Sequence, residues 1–105
     1  MKILRLTLKK KWFDMILSGE KKEEYREIKP YWINRLDNVE ALGETFIRWF
    51  DAVEFRNGYQ KYAPMIRIEC KGITKGKAKP EWSDNWQGDV FKIALGEILD
   101  TRNCL

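Results

Sequence analysis

A run of charged residues in the first third of the chain most constrains the fold. Seven of the eight residues from 20 to 27 are charged, and residues 21–28 alternate as a β-strand does. Charged residues are depleted from sheets and a buried charge must be paired, so this segment is a poor central strand. It is either a solvated edge strand that its charges protect, or a strand with one face lining a wet cavity.

Strand alternation decides which of these charges can meet. Glu24 and Arg26 fall on the same side of the strand, whereas Lys21 has the opposite parity. Lys21 therefore joins them only if it still belongs to the turn that precedes the strand. Composition alone does not separate the cavity from the solvated edge.

The residue types present limit the chemistry of any site. The 105 residues include no histidine, and Cys70 and Cys104 stand apart without a CxxC motif. This excludes His-based acid–base catalysis, Ser-His-Asp and Cys-His arrangements, haem on a histidine and the usual zinc sites. The sequence also lacks a DxDxD-type loop, a P-loop and a GxGxxG motif. We therefore predict no metal and no cofactor.

Length and segment composition predict one domain over residues 1–105. No signal peptide and no apolar stretch of about 20 residues is found in the sequence, so no membrane partner is expected. The two cysteines show no disulfide pattern, and we expect a cytoplasmic protein.

Positive charge is concentrated in two stretches. Residues 2–11 contain five cations and no acid, and residues 61–79 contain six cations against Glu69 alone. If the two stretches meet in the folded chain, they form a face suited to RNA or DNA. A solubilising lysine-rich surface explains the same charges equally well.

Periodicity predicts an α+β fold. A helix is indicated by the spacing of Trp12, Phe13, Ile16 and Leu17, and Gly19 ends it. Alternation or β-rich composition predicts further strands at residues 2–8, 52–56, 65–73 and 90–99. About five strands in so short a chain predict a small mixed or antiparallel sheet that curls into a β-barrel, with short helices at the barrel openings.

Two segments are predicted less directly. Residues 31–50 show helical spacing and predict one or two short helices, with Trp49 and Phe50 in the core together with Trp12 and Phe13. Residues 81–88 are predicted to form a loop. In that loop, Trp82 and Trp86 are expected to close a barrel end as core residues, and a platform for stacking is the alternative.

The charged segment also resembles a known family. It matches the pattern GxKxxExR, whose fixed positions are Gly19, Lys21, Glu24 and Arg26. This pattern is the hallmark of the ASCH domain, a relative of the PUA fold. The strand–helix–Gly context and the chain length also resemble single-domain ASCH proteins of bacteria and phages, although the resemblance thins after Pro30. It implies a PUA-like β-barrel with a cleft that contains Lys21, Glu24 and Arg26.

The same resemblance implies RNA binding or chemistry on nucleotides. Some members look like RNA binders or ribonucleases, and a small bacterial branch is an amidohydrolase that removes acyl groups from N4-acylated cytidine. That branch has a threonine nucleophile where this chain has Glu24. A carboxylate acts as a base toward water and does not form the same acyl intermediate, so the mechanism does not transfer directly.

Two kinds of function fit the three charged residues. Burial and opposing neighbours would tune Lys21 as a catalytic lysine requires, with Lys21 and Glu24 as the proton-transfer groups of a hydrolase. Alternatively, Lys21 and Arg26 hold a phosphate while Glu24 orients Arg26. We favour binding, with hydrolysis of RNA or of a modified nucleoside as the second hypothesis. An adaptor for an acidic protein is the third.

Two residues beside an Asn-Gly turn complete the predicted binding set. Arg56 and Tyr59 flank this turn after a predicted strand. A planar cation and an aromatic ring can bind a phosphate and stack on a base. The predicted partner is therefore RNA, a nucleotide or a modified nucleoside, bound by Lys21, Glu24, Arg26, Arg56 and Tyr59.

Overall fold

The computed structural model describes residues 1–37, 39–41, 44–84 and 86–104, with side chains described outside residues 39–41 and 44–46. The first half of the chain contains β1 (Ile3–Thr7), α1 (Lys10–Leu17), β2 (Glu23–Glu27), α2 (Pro30–Leu36), β3 (Val39–Ala41) and β4 (Glu44–Phe46). The second half contains β5 (Ala52–Arg56), β6 (Met65–Lys77), a 3-10 turn (Pro80–Trp82) and β7 (Asp89–Arg102).

Five of the strands form one mixed sheet in the order β1-β5-β6-β7-β2, and β3 pairs with β4 separately. Strand β1 runs parallel to β5, while the other neighbours in the large sheet are antiparallel. The predicted α+β class is confirmed, with a sheet that curls into half a barrel. Strands β1 and β2 are the two edges of this sheet.

Irregular pairing between the two longest strands explains the curl. The register of β6 against β7 shifts three times between Arg67 and Gly72. Gly72 has a φ of +135°, in the region that favours glycine. Such bulges bend a strand and increase its twist. The curl brings the edges together, so that Arg26 Nη2 of β2 donates to the Thr7 carbonyl of β1 at 3.2 Å.

The core follows the predicted alternation. Ile66, Ile68 and Cys70 of β6 are buried. Glu69, which lies between Ile68 and Cys70, and Lys71, which follows Cys70, are exposed. Helix α1 adds three buried side chains to the same cluster, those of Trp12, Phe13 and Ile16. Gly19, with a φ of +85°, follows the helix end as predicted.

The prediction for residues 31–50 is only partly correct. Helix α2 begins at Pro30, a favourable first position for proline, and ends at Leu36, where β3 and β4 follow instead of a second helix. Phe50 is buried as predicted, but Trp49 is 64% exposed, which contradicts its expected place in the core. Short apolar runs do not distinguish helix from strand, and residues 47–50 lie in neither.

The loop predicted at residues 81–88 begins within the 3-10 turn, and residue 85 lies outside the described residues. No helix in the described part of the chain has the length and apolar character needed to cross a bilayer.

Candidate functional site

Strands β1 and β2 face each other across a gap, which we call the seam, between the two edges of the curled sheet. A cavity of about 600 Å³ opens along it. Its wall is formed by β1, α1, β2, α2 and the segment from Trp82 onward, with Tyr59 contributing from the turn after β5. The charged segment therefore borders a cavity, which agrees with the interpretation of it as a strand with one face lining a cavity.

Side chains satisfy the free backbone edge of β2. The Tyr25 N–H donates to Glu24 Oε1 at 2.8 Å, and Arg26 Nη1 donates to the Tyr25 carbonyl at 2.8 Å. An edge strand has backbone groups without a partner strand, and these must bond elsewhere when they are buried. The two charged residues thus replace the strand that is absent at this edge.

The free edge of β1 is satisfied in a similar way. Arg26 donates to the Thr7 carbonyl, and Arg35 Nη2 from α2 donates to the Arg5 carbonyl at 2.7 Å. Arg26 and Arg35 also lie against Trp32, with 5.2 and 5.6 Å from their guanidinium carbons to the ring centroid. Cation–π contact of this kind holds both guanidinium groups at the seam.

Lys21 reaches the strand residues because β2 begins only at Glu23, which leaves Lys21 in the preceding turn. Its ammonium lies 3.2 Å from Glu24 Oε1, donates to the Trp82 carbonyl and sits 4.5 Å from the centroid of the Trp12 ring. The residue is 2% exposed. Burial lowers the pKa of the Lys21 ammonium below its ordinary value, although the Glu24 carboxylate opposes this shift.

Glu24 has one carboxylate oxygen whose bonding is incomplete. It is 4% exposed, and its Oε1 accepts from Tyr25 and contacts Lys21. Its buried Oε2 forms no hydrogen bond with any described residue, although Arg26 Nη1 lies 3.3 Å away as an ion-pair partner. A buried acceptor without a donor costs about 1–3 kcal/mol. Because Glu24 lines the cavity, a ligand N–H or O–H group that reaches this oxygen would remove the cost.

Aromatic side chains supply much of the remaining wall: Trp12, Tyr25, Tyr31, Trp32, Tyr59, Trp82 and Trp86. The charges among the wall residues are nearly balanced, with four cations and three carboxylates: Arg5, Lys9, Arg26, Arg35, Glu24, Glu27 and Asp84. A wall of mostly apolar and aromatic side chains with a few fixed polar groups is typical of small-molecule sites.

Tyr25 also anchors the segment that carries the tryptophans. Its hydroxyl donates to Glu23 Oε1 at 2.7 Å and accepts from the Lys79 N–H at 3.2 Å. Burial, supported by the two neighbouring carboxylates, raises the pKa of this phenol well above its ordinary value, while the Lys79 N–H opposes the shift. Lys21 and Tyr25 thus hold the 79–82 segment at its two ends.

The predicted site residues are distributed unequally around the cavity. Glu24, Arg26 and Tyr59 belong to its wall, and Tyr59 is 91% exposed at the rim. Lys21 is not among the described wall residues and lies behind Glu24. Arg56 is also outside the described wall, and its Nε lies 3.5 Å from Glu54 Oε2 on β5.

The two tryptophans of the 81–88 segment are half-buried in the cavity wall, which corrects the expectation that they fill the core. The two basic stretches also approach this segment. Lys9 Nζ lies 3.9 Å from Asp84 Oδ2, and Lys79 Nζ lies 4.4 Å from the Trp82 ring centroid. Each stretch thus contributes one lysine near the cavity.

Sequence reasoning missed Arg5, Trp32 and Arg35. The last two lie three positions apart in a helix directly after the charged strand, and this spacing was a usable signal because such residues share a helix face. Across the described part of the chain, no group of three His, Cys, Asp or Glu side chains is arranged to hold a metal ion.

Comparisons of the chain with protein-family models, with curated proteins and with solved structures give no match. Functional inference therefore depends on the geometry of the seam.

Proposed function

We propose that this protein is an ASCH-type, PUA-like protein that binds RNA or a nucleotide, with a base seated in the seam cavity. The observation that carries the proposal is the buried Glu24 Oε2, an acceptor without a hydrogen bond among the described residues, in a wall lined by aromatic rings. Nucleobases combine N–H donors on their edges with π faces that stack on aromatic side chains.

The near balance of charge in the wall supports a base more than a bare polyanion. A nucleobase offers both donors and acceptors, and the wall offers carboxylates as well as guanidinium groups. Arg26 is already oriented by three contacts, with the Tyr25 and Thr7 carbonyls and the Trp32 ring. Such preorganisation lowers the entropy cost of binding.

Tyr59 extends this arrangement beyond a single base. Its ring is largely exposed at the cavity rim, where a neighbouring base of a single strand can stack. Stacking on one aromatic side chain contributes about 1–3 kcal/mol per base.

Tryptophan fluorescence titration with the four ribonucleoside monophosphates and a ten-nucleotide single-stranded RNA tests the proposal. Glu24→Gln is expected to weaken binding at least about tenfold, because it removes a charged acceptor. Glu27→Gln is the matched control, since Glu27 lies in the same wall but is exposed. Absence of binding by the unmodified protein, or native affinity in Glu24→Gln, would contradict the proposal.

Hydrolysis is the second candidate, favoured by one contact. The Lys21 ammonium, with its lowered pKa, lies 3.2 Å from a Glu24 oxygen, a geometry that allows proton transfer. Incubation with N4-acetylcytidine and with single-stranded RNA, each with and without Mg²⁺ or Mn²⁺, tests it. Turnover that disappears in Lys21→Met supports a hydrolase.

The same experiments separate the other two hypotheses. Binding without turnover supports the binding protein. Co-purification of an acidic protein without nucleic acid supports the adaptor.

A further inference from the structure

Three arginines surround a buried carboxylate on the sheet. Arg5 on β1 lies opposite Glu54 on β5, and Glu54 lies opposite Arg67 on β6. Arg67 Nη2 donates to Glu54 Oε1 at 3.0 Å, and Oε2 lies 3.4 Å from Arg5 Nε and 3.5 Å from Arg56 Nε. We call Arg5, Arg56 and Arg67 around Glu54 the arginine cluster.

The single carboxylate does not neutralise the three cations. Glu54 is 5% exposed, and burial by itself would raise its pKa, but the Arg67 hydrogen bond and the three positive charges outweigh burial and hold the pKa low. Arg5 and Arg56 are exposed and Arg67 is half-buried. The Arg67 Nε is buried and donates to no described residue. The cluster therefore keeps an excess of positive charge.

Among the described residues, the neighbouring carboxylates do not remove this excess. Asp100 on β7 lies opposite Arg67, but its carboxylate is 3.4 Å from Arg102 Nε, which adds a further cation. Glu69 is the next exposed carboxylate along β6.

Arg5 connects the cluster to the seam cavity, because its side chain contacts Glu54 while the residue also lines the cavity wall. From this continuity we propose that the arginine cluster binds the phosphodiester backbone of a single-stranded nucleic acid. This inference rests on the proposed function, in which a base of the same strand occupies the cavity. Glu54 acts as a positioning residue that orients the guanidinium groups.

A nucleic acid fits these features better than an acidic protein does. The guanidinium group is planar and binds phosphate oxygens in pairs, and three such groups converge here within one carboxylate's reach. The nearly balanced cavity suits a base, while the cluster provides the positive charge that a backbone requires. An acidic peptide would use the cluster but not the aromatic wall.

Two titrations run in parallel test the inference: fluorescence anisotropy with a fluorescein-labelled ten-nucleotide RNA, and tryptophan fluorescence with cytidine monophosphate. Arg56→Gln and Arg67→Gln are each expected to weaken RNA binding about tenfold, since each removes a charge-assisted contact. The slope of log affinity against log salt concentration should become shallower by about 0.7 per lost contact. Affinity for the mononucleotide should fall less than affinity for the RNA, because neither arginine belongs to the described cavity wall.

Lys10→Gln is the control for charge alone, since Lys10 is an exposed residue on α1 that pairs with Asp14. Thermal denaturation establishes that each variant is folded. Arg56 is exposed, so Arg56→Gln tests the cluster even if loss of Arg67 beside buried Glu54 prevents folding.

The outcomes separate this inference from the proposed function. Unchanged RNA affinity and salt slope in Arg56→Gln would overturn the cluster while leaving the cavity intact. Cluster-dependent RNA binding without mononucleotide binding would support the cluster and contradict the cavity. A ten-residue polyglutamate peptide that binds more tightly than the RNA, with the same dependence on Arg56, would overturn the assignment to nucleic acid.

Discussion

The centre of the sheet and the seam satisfy their backbone groups by different means. In the centre, β6 pairs with β5 on one side and β7 on the other, and Phe55, Ile66 and Ile93 are fully buried. At the seam, guanidinium and carboxylate groups bond the free edges of β1 and β2. At the seam, charged side chains thus take the place of a neighbouring strand, and the cavity is found at the same place.

This difference predicts different responses to perturbation. Stability of the apolar core at the centre depends on packing, which changes little with pH or salt near neutrality. Stability at the seam depends on buried ion pairs and hydrogen bonds to charged groups, whose strength follows the protonation of each partner. The two regions should therefore respond differently to substitution, pH and salt.

The largest effect is expected from Glu24→Ala at the seam. Removing the carboxylate leaves the buried Lys21 ammonium without its counter-charge, which should lower the free energy of unfolding by about 3–5 kcal/mol in urea denaturation. The double variant Lys21→Met with Glu24→Leu should lose less, because it buries no unpaired charge. Equal or greater loss in the double variant would show that the pair itself contributes the stability.

Arg26→Gln should have the next largest effect, about 2 kcal/mol, because Arg26 donates to carbonyls on both edges of the seam. Arg35→Gln is the matched comparison, since Arg35 donates to one edge carbonyl and contacts the same Trp32 ring. Urea denaturation of both variants should rank Arg35→Gln as the milder change. The reverse ranking would show that Arg26 does not connect the two edges.

Alkaline pH should weaken the seam through Tyr25. Because the pKa of Tyr25 is raised in the folded protein, its phenol stays protonated above pH 10.0, where the unfolded chain loses that proton. The stabilisation that the Tyr25 phenol contributes is complete below pH 10.0. It is lost as pH rises toward the pKa of the folded protein, by up to about 1.4 kcal/mol per pH unit.

Lys21 acts in the opposite direction, since its lowered pKa makes stability rise with pH until 10.5. Comparison with Tyr25→Phe isolates the phenol, because that variant keeps Lys21. Urea denaturation between pH 9 and 11.5 should show a smaller alkaline loss in Tyr25→Phe than in the unmodified protein. Parallel curves for the two proteins would refute the assignment.

The smallest effect is expected at the centre, from Ile66→Val. Deleting one methylene group from a fully buried side chain should cost about 1 kcal/mol. This loss should be the same at low and high salt and should leave nucleotide binding unchanged, because the Ile66 side chain lies in the apolar core and outside the described cavity wall. A change in ligand affinity would show that the two regions are coupled.

The sequence predicted much of the sheet and part of the site. Alternation located β6 and its buried residues Ile66 and Ile68, and the density of charge located the edge strand β2. Strand parity also predicted that Lys21 meets Glu24 only if Lys21 belongs to the turn before β2, and the structure confirms this placement. These predictions depend on local backbone geometry, which the order of side chains reveals directly.

Other features depend on contacts between distant segments and were not predictable in this way. Trp49 was expected in the core because its apolar neighbours suggested a helix, and it is exposed outside any regular element. Arg56 was assigned to the binding set from its turn, and only the structure shows that it contacts Glu54 together with Arg5 and Arg67. The roles of Arg5 and Arg35 depend on the approach of β1 to α2, which no local pattern specifies.

By itself, the sequence determined that a charged strand must be an edge or border a polar space, because a sheet interior does not accept unpaired charge. Only the tertiary structure shows that both descriptions apply. Strand β2 is an edge, and the curl of β6 and β7 turns that edge toward β1 to form a cavity. The physical reason is that alternation records which side chains share a face, whereas the space that a face borders depends on how distant strands bend.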